Sequence, residues 1–529
     1  MMKHMLRSRR WVVLTAGALA LVPALTAAQA LPPLSSVRVT YNTRKAVVNP
    51  QGDLKVQIDA VDKEIADAQR RGLTGEVRRQ LARGLALLAG TAWTPALDYQ
   101  NSLALRSART VIDSTEPYAL RLEQIYRPAT ELTPALTARV SLLKRQAPAT
   151  AAGAQALVLV RDFGTFDGVS RDLRESPFLV ELDLSAIPDG AYVIEAGVFD
   201  AAAPLGATRL GIVLQKGLDA RLRALDAGAA TVPEALRADV RYPGDYVRNV
   251  NRGRVRLGAF DLAAELASAE RILAAGKKGK DPFKGRTGDM ERHYLLQGAD
   301  EVMPYRVYVP AKYTGAAPTP LVIALHGLGG NEDAFFDAYE GLPPKLAETH
   351  GFLMAAPLGF RVDGFYGASM TGSTDAATRR RLEFSEKDVL DVLRLMRSQY
   401  RVDDSRVYLI GHSMGAIGTW HLGAKYPDIW AALGLFAGTG SPATVERMKA
   451  IPQIVVHGDA DPTVNVSGSR AMVAEMKRLG VEVTFIEVPG GNHTDVVVPN
   501  LPHVFEFLAA HKKARPPAAA STSNRARRP

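Results

Sequence analysis

The sequence predicts an α/β fold, with a mostly parallel, doubly wound sheet in the C-terminal half that is preceded by helices and a small β-sandwich. From about Gly288 to Lys512, apolar strand patterns alternate with helical patterns, which indicates a parallel sheet covered on both faces. Between residues 134 and 217, short strand patterns follow one another with turn residues between them, which favours a sandwich. The chain of 529 residues has room for about two to four domains.

These patterns divide the chain into six regions. They are an export signal over 1–30, a helical region over 31–135, a β-sandwich over 136–217, a helical segment with a linker over 218–285, a strand–helix domain over 286–512 and a disordered basic tail over 513–529. Within the helical region, alternation predicts a short strand at Ser36–Val48. Apolar spacing predicts helices over Asp53–Arg71, Thr74–Ala89, Ser102–Val111 and Tyr118–Tyr126. The stretch Leu184–Asp200, which contains the turn Pro188-Asp189-Gly190, resembles the late hairpin of bacterial immunoglobulin-like modules.

The net charge of +10 lies at the two ends of the chain. Four basic residues and no acidic ones occur in residues 1–30, and six basic residues and no acidic ones occur from Lys512 onward, so the rest is formally neutral. This distribution argues against a nucleic-acid partner, which requires a basic groove within the fold. The chain has no cysteine, which excludes disulfides, thiolate metal sites and a cysteine nucleophile.

The first 30 residues have the pattern of an export signal. Basic residues up to Arg10 precede an apolar run from Trp11 to Leu25, and the small residues end in Ala28-Gln29-Ala30. We therefore expect cleavage after Ala30 and a periplasmic or secreted protein without a membrane association. The paired arginines leave the general secretory and the twin-arginine routes both open.

Gly411-His412-Ser413-Met414-Gly415 is a G-x-S-x-G pentapeptide in the setting that this motif requires. An apolar strand pattern, Arg406–Ile410, precedes it and a helical pattern, Ala416–Ala424, follows it. Side chains at the two glycine positions would collide with the neighbouring backbone of such a sharp turn. Ser413 is therefore the predicted nucleophile.

A serine hydroxyl needs a base, and in this strand–turn–helix arrangement the acid and the histidine follow the serine in that order. His493 is the predicted base because it lies in a glycine-rich loop directly after the strand Val483–Val488. The acid follows the strand Ile454–Val456, where Asp459 and Asp461 both qualify. One of them would orient His493, while the other would hold the loop through backbone hydrogen bonds.

An oxyanion hole requires two backbone N–H donors. One is predicted to be the amide of Met414, the residue after the nucleophile. The second is expected in the glycine-rich loop His326–Gly330, where Leu328 is preferred and Gly327 is the alternative. His326 is interpreted as a residue that braces this loop.

Together, Leu325–Gly330, Arg406–Gly415 and His457–Val464 resemble the α/β-hydrolase superfamily. Within it, residues 288–510 most resemble secreted esterases grouped with polyhydroxybutyrate depolymerases, feruloyl esterases and prolyl-oligopeptidase-like hydrolases. The resemblance favours Asp461 over Asp459 as the acid. Depolymerases of that group often carry a cysteine in the oxyanion loop where this chain has Leu328, which weakens the depolymerase interpretation.

The resemblance implies an exported serine hydrolase that cleaves carboxylic esters, with a small-molecule or polymeric ester as substrate. No organic cofactor or metal is implied. Two alternatives stay open: a serine peptidase of the prolyl-oligopeptidase-like type, and a protein that binds a polymer or partner and has a secondary hydrolase site. Apolar residues in the loop Gly359–Phe384, namely Phe360, Phe365, Tyr366 and Met370, would either line an acyl pocket or pack as a surface loop.

Overall fold

The computed structural model describes residues 34–133, 135–146, 156–255, 257–258, 260–369 and 375–513. The predicted export signal and residues 514–529 of the predicted tail lie outside the described residues. Within the described part, no helix is both long and apolar enough to cross a bilayer.

The described chain opens with three helices, α1 (Leu34–Val48), α2 (Gly52–Arg70) and α3 (Thr74–Leu88). The prediction of a strand over Ser36–Val48 is wrong, because this segment is α1. Its apolar residues alternate locally, but they also lie at helical spacing, and Tyr41 is buried in a cluster with residues of α2 and α3. Tertiary packing on one helix face therefore decides the local conformation.

A β-sandwich follows the short helix α4 (Pro95–Ser102). Its first strands are β1 (Leu103–Ser107), β2 (Val111–Ile112) and β3 (Tyr118–Gln124). The helices predicted over Ser102–Val111 and Tyr118–Tyr126 are therefore wrong, and the predicted helical region over 31–135 is helical only up to Ser102. The side chains of Tyr118, Leu120 and Leu122 are buried at a period of two, which is the period of a strand with one face on a core.

The remaining sandwich strands lie where strand patterns were predicted. They are β4 (Leu136–Gln146), β5 (Ala156–Val169), β6 (Phe178–Leu182), β7 (Gly190–Asp200) and β8 (Ala203–Leu214). One sheet has the order β1-β3-β6 and the other the order β2-β8-β7-β4-β5. Residues of both sheets form one hydrophobic cluster, so the two sheets pack face to face.

Three helices connect the sandwich to the C-terminal domain: α5 (Leu218–Ala229), α6 (Glu234–Asn251) and α7 (Leu262–Gly276). They form their own hydrophobic cluster, which also contains Val111 and Val213 of the sandwich. Helix α6 reaches the C-terminal domain through Asp245, which accepts a hydrogen bond from the backbone N–H of Val302 at 2.8 Å. The three helices therefore join the two β-rich parts of the chain.

The C-terminal domain contains eight strands and six helices among the described residues. The strands are β9 (Gly288–Leu296), β10 (Glu301–Val309), β11 (Thr319–Leu325), β12 (Leu353–Pro357), β13 (Val402–His412), β14 (Ala432–Phe436), β15 (Gln453–Gly458) and β16 (Val483–Val488). The helices are α8 (Ala334–Asp337), α9 (Leu342–His350), α10 (Ala376–Gln399), α11 (Met414–Lys425), α12 (Ser467–Arg478) and α13 (Val497–Ala510). Short 3₁₀ turns occur at Tyr339–Gly341, Phe365–Gly367 and Pro442–Met448.

These eight strands form one mixed sheet in the order β16-β15-β14-β13-β11-β12-β10-β9. All neighbours from β12 to β16 pair in parallel, whereas β9 and β10 add an antiparallel edge. Two hydrophobic clusters cover the two faces: residues of α10, α11 and α12 lie in one, and residues of α9 and α13 in the other. The predicted doubly wound α/β architecture is therefore observed, and the loops at the carboxyl ends of the parallel strands lie side by side.

Candidate active site

The predicted nucleophile occupies a sharp turn between β13 and α11. Ser413 has φ 56° and ψ −116°, a conformation that non-glycine residues rarely adopt. Its backbone N–H donates to the carbonyl of Phe436 at 2.9 Å, so the neighbouring strand β14 holds the turn. The serine is partly exposed at the end of the sheet, where a substrate can reach its hydroxyl.

The two glycines of the pentapeptide are required by close backbone contacts. A Cβ atom added to Gly411 would lie 2.2 Å from the carbonyl oxygen of Gly415, and one added to Gly415 would lie 1.9 Å from the carbonyl oxygen of Leu325. Both contacts involve backbone atoms, which cannot move without displacing β11 or the turn. The steric reason expected from the sequence for both glycines therefore holds in the structure.

The structure brings the three residues predicted for the triad together. His493 Nε2 lies 2.8 Å from Ser413 Oγ, and His493 Nδ1 lies 2.7 Å from Asp461 Oδ2. Both distances are hydrogen bonds of ordinary length. The imidazole can therefore accept the serine proton while the carboxylate holds its opposite nitrogen.

Asp461 is 8% exposed and is held by four donors. Its Oδ1 accepts the backbone N–H groups of Thr463 and Val464, and its Oδ2 accepts from His493 and lies 3.2 Å from His457 Nε2. Burial disfavours the charged carboxylate, but the hydrogen bonds from His457 and His493 outweigh burial and lower the pKa of Asp461. The carboxylate therefore stays ionised beside the imidazole.

His457 is a contact of the acid that the sequence analysis missed. Its ring is fully buried, and Nδ1 lies 2.8 Å from Ser469 Oγ while Nε2 lies 2.9 Å from the carbonyl of Val464. The ring therefore fixes the loop that carries Asp461. The sequence shows a histidine four residues before the acid. It does not show whether the loop folds back so that the two side chains meet.

The competing aspartate has the other role that was considered for it. Asp459 is exposed, and its Oδ1 accepts the backbone N–H of Gly490 at 2.6 Å, which ties it to the loop before His493. His503 and His511, the other histidines considered near the C-terminus, contact residues outside the triad. His503 lies near Glu506, and His511 contacts the carbonyl of Phe507 and the carboxylate of Glu482.

Two backbone amides are available for an oxyanion. Met414 opens α11, and the first N–H groups of a helix have no acceptor within it. In the loop after β11, the N–H groups of Gly329 and Gly330 donate to the carbonyls of Val362 and Gly327, whereas that of Leu328 donates to none of the described residues. Gly327 passes close to Ser413, because a Cβ added to it would lie 3.4 Å from the serine Cβ.

His326 fixes this loop from within the core. It is 1% exposed, with Nδ1 at 2.8 Å from the carbonyl of Gly327 and Nε2 at 2.7 Å from the carbonyl of Leu358. Burial lowers the pKa of His326, although the carbonyls of Gly327 and Leu358 oppose this shift. These contacts agree with the predicted bracing role.

His412 links the nucleophile turn to the loop of the base, and the sequence analysis also missed it. Its Nε2 lies 2.9 Å from the carbonyl oxygen of His493, and its Nδ1 lies 2.8 Å from the hydroxyl of Tyr339. Burial, with a smaller contribution from His493, lowers the pKa of His412 to about 4. A neutral ring donates from Nε2 to the carbonyl and accepts from the tyrosine, which satisfies both partners.

The loop after β12 packs into the core over the described residues. Tyr366 is fully buried and its hydroxyl donates to the carbonyl of His326, while Phe360 is 8% exposed and Phe365 is partly buried. The buried carboxylate of Asp388 accepts the backbone N–H of Phe360 at 2.7 Å and holds the loop start. For these three residues the packed arrangement is observed, and Met370 lies outside the described residues.

The mixed sheet, the strand–turn–helix at Ser413 and the triad geometry define the C-terminal domain as an α/β-hydrolase domain. Residues 297–489 match the family model Esterase, which is described as "Putative esterase". The predicted resemblance to α/β-hydrolase esterases is thereby confirmed for this segment.

Curated relatives match a shorter segment. Feruloyl esterase B from Talaromyces funiculosus is 30% identical over 138 residues, which are 25% of this chain and 35% of the relative. Probable acetylxylan esterase A from Aspergillus flavus is 31% identical over 134 residues, which are 25% of this chain and 40% of the relative. The chain therefore spans well under half the length of the curated relatives that it matches.

Solved structures that the chain matches include an S-formylglutathione hydrolase from Agrobacterium tumefaciens and a ferulic acid esterase from Anaeromyces mucronatus. The first has a TM-score of 0.36 and 18% identity, and covers 43% of this chain and 96% of its own. The second has a TM-score of 0.35 and 18% identity, and covers 44% of this chain and 93% of its own. Scores this low carry no argument, so the fold assignment depends on the observed strand order and the family match.

Proposed function

We propose that this protein hydrolyses carboxylic esters with Ser413 as nucleophile, His493 as general base and Asp461 as the acid that orients the base. The observation that carries the proposal is the pair of hydrogen bonds of 2.8 Å and 2.7 Å that links these side chains in series. A serine, an imidazole and a buried carboxylate in this geometry are the components of nucleophilic acyl transfer.

The chemistry follows from the proton positions. Ser413 Oγ attacks the ester carbonyl while its proton moves to His493 Nε2, and the carbonyl oxygen takes up the negative charge. The backbone N–H groups of Leu328 and Met414 hold this oxyanion. The proton then passes from Nε2 to the leaving alcohol, and an acyl-enzyme forms on Ser413.

Deacylation repeats the sequence with water in place of the serine. His493 Nε2 removes a proton from water, the hydroxide attacks the acyl carbon, and the proton returns to Ser413 Oγ as the acid leaves. Each time Nε2 is protonated, Asp461 stabilises the imidazolium. The lowered pKa of Asp461 keeps the charge that this stabilisation needs.

The relatives suggest the substrate class to test first. These relatives are named as a feruloyl esterase and an acetylxylan esterase. We therefore propose acetyl and hydroxycinnamoyl esters as the first substrates to assay with this protein. A serine peptidase and a binding protein with a secondary site are the alternatives that the same assays test.

The decisive experiment compares the protein with its Ser413→Ala variant on p-nitrophenyl acetate, methyl ferulate, acetylxylan and a peptide p-nitroanilide. We expect release of acetate or ferulate by the unchanged protein and none above background by the variant. A fluorophosphonate probe should label Ser413, as read by peptide mass spectrometry. Ester hydrolysis that persists in Ser413→Ala, or cleavage of only the anilide, would contradict the proposal.

We also propose that the sandwich is immunoglobulin-like. Two features support this: the division of strands into β1-β3-β6 and β2-β8-β7-β4-β5, and a tyrosine at the start of β7. The hydroxyl of Tyr192 donates to the carbonyl of Pro188 at 2.9 Å, four residues upstream. Immunoglobulin-like sandwiches typically have such a tyrosine near the start of a late strand, with its hydroxyl bonded to backbone a few residues upstream. Strand β7 has this position here.

Export forms part of the proposal, and the pattern of basic, apolar and small residues before Leu31 supports it. Expression in a bacterial host followed by fractionation tests it. Mature protein that begins at Leu31 in the periplasm or medium is the expected result. Protein that stays in the cytoplasm with residues 1–30 attached would refute it.

A further inference from the structure

A charged cavity of about 520 Å³ lies where the connecting helices meet the antiparallel edge of the catalytic sheet. Helix α7 contributes Glu265 to its lining, and β9 contributes Glu291 and His293. One oxygen or nitrogen of each of these three side chains lies within 4.8 Å of the others. The cavity is therefore built by two parts of the chain that the sequence separates into different domains.

Most other carboxylates around the cavity form ion pairs with arginine. Arg306 pairs with Asp289, Asp333 and Asp337. Arg292 pairs with Asp239. These pairs leave Glu265 and Glu291 without an arginine ion pair within 4 Å among the residues that the structure describes, and Arg306 acts on Glu291 only at longer range.

Glu265, Glu291 and Glu332 have no arginine ion pair within 4 Å among the described residues. The side chain of Glu265 makes no hydrogen bond or ion pair with the described residues, and Glu291 lies beside His293 and within the electrostatic reach of Arg306. Glu332, which is 5% exposed, has an oxygen, Oε2, without a hydrogen-bond partner in the described part of the chain. Glu332 lines an adjoining cavity together with Glu265 and Glu291. Glu332 is the buried member of this group, and an unpaired buried carboxylate is costly unless a cation compensates it or it takes up a proton.

The orientation of His293 is a separate observation. Its side chain is 7% exposed, and Nδ1 lies 3.2 Å from Asp239 Oδ1, while the backbone N–H of the same residue donates to that carboxylate at 2.9 Å. Nε2 makes no hydrogen bond of ordinary geometry, and its nearest partner is Glu291 Oε1 at 3.4 Å, a long charge contact. A carboxylate behind one ring nitrogen, with the other nitrogen turned toward further carboxylates, is the arrangement found for histidines that bind metals.

We propose that Glu265, Glu291 and His293 bind a divalent transition-metal ion of the Zn²⁺ type, which ties the connecting helices to the catalytic domain. In a tetrahedral site with bonds of about 2.0–2.1 Å, neighbouring ligand atoms lie about 3.4 Å apart. The 3.4 Å between His293 Nε2 and Glu291 Oε1 equals this ligand–ligand distance. The ligand atoms lie within 4.8 Å of one another, so the partly exposed carboxylate of Glu265 on α7 has to move about 1 Å toward the other two. An imidazole with two carboxylates favours Zn²⁺ over Ca²⁺ or Mg²⁺, which prefer oxygen ligands alone.

The site is independent of the proposed ester hydrolysis, so its test does not use activity. Metal-free protein is titrated with ZnCl₂ by calorimetry at pH 8, and Co²⁺ is added to a second sample for visible absorption. We expect one Zn²⁺ per chain, a raised melting temperature on binding, and Co²⁺ bands of a four-coordinate site. A folding defect does not produce such bands.

Two variants and one control locate the ligands. Glu265→Gln and Glu291→Gln should each weaken Zn²⁺ binding by about tenfold or more and remove the Co²⁺ bands. Glu234→Gln changes an exposed carboxylate at the start of α6 and should leave binding unchanged. The proposal is overturned if the unchanged protein takes up no stoichiometric Zn²⁺, or if binding is the same in all three variants.

Discussion

Replacing Asp461 with asparagine should inactivate the enzyme without unfolding it. Asparagine has the same shape, and its side-chain oxygen can still accept the backbone N–H groups of Thr463 and Val464. Its NH₂ group then occupies the place of Oδ2, 2.7 Å from His493 Nδ1. A donor at that place forces Nδ1 to act as acceptor, so the proton of the neutral ring moves to Nε2.

The magnitude follows from this change of tautomer. With a proton already on Nε2, His493 cannot accept the proton of Ser413, and the imidazolium loses its carboxylate. A drop in kcat of about ten-thousand-fold is typical of this substitution in a serine triad. That factor corresponds to about 5 kcal/mol of lost transition-state stabilisation. KM should change little, because the substituted group does not contact the substrate.

The assay is initial-rate hydrolysis of p-nitrophenyl acetate, with urea unfolding as the check on folding. The matched control is Asp459→Asn, two residues away in the same loop. Its side-chain oxygen still accepts the N–H of Gly490, so activity should stay within about threefold, in line with small surface effects. A kcat for Asp461→Asn within tenfold of the unchanged protein, or a larger loss in Asp459→Asn, would refute the assignment of the acid.

Three further predictions concern stability. Gly415→Ala places a methyl group 1.9 Å from the carbonyl oxygen of Leu325, so urea unfolding should show a loss of about 2 kcal/mol or more. Gly244→Ala, whose methyl meets only Leu222 at 3.8 Å, should show none. The folded-state pKa of His412 is about 4, below the ordinary histidine value of 6.5, so the unfolded state binds more protons between these values and stability falls as the pH drops from 6.5 to 4. Between pH 7.5 and 4.5, the free energy of unfolding should fall by about 3 kcal/mol less in His412→Gln than in the unchanged protein. An equal fall in both proteins would contradict this assignment. Tyr192→Phe removes the hydrogen bond to Pro188 and should cost about 1 kcal/mol by urea unfolding; a cost near zero would mean that this contact does not stabilise the sandwich.

The parts of the site that the sequence predicts are those whose reasons are local. The glycines around Ser413 are imposed by contacts within the turn and with the adjacent β11, and the loop after β16 contains few residues that can act as a base. The parallel strands are near-continuous apolar runs, so the sequence alone shows where each strand lies along the chain. The α/β-hydrolase domain therefore follows from short segments of sequence.

Predictions failed where long-range packing decides the local conformation. Alternation in Ser36–Val48 suggests a strand, but burial of Tyr41 beside Gly84 of α3 makes it a helix. The residues of β3 have apolar positions compatible with a helix, and pairing with β1 and β6 makes them a strand. Neither partner is adjacent in sequence, so a window of ten residues contains no signal for the choice.

The same limit explains the contacts that were missed around the site. His412 meets Tyr339, which is 73 residues earlier, and the carbonyl of His493, which is 81 residues later. His293 meets Asp239, which precedes it by 54 residues and belongs to a different predicted region. In both cases a buried histidine acquires its partners only when distant segments pack. The ligands proposed for Zn²⁺ follow this pattern, since Glu265 lies on a connecting helix and the other two ligands lie on the edge strand of the sheet. A metal ion at that position would stabilise the contact that joins the two parts of the chain, which is why binding and thermal stability should change together in the Glu265→Gln variant.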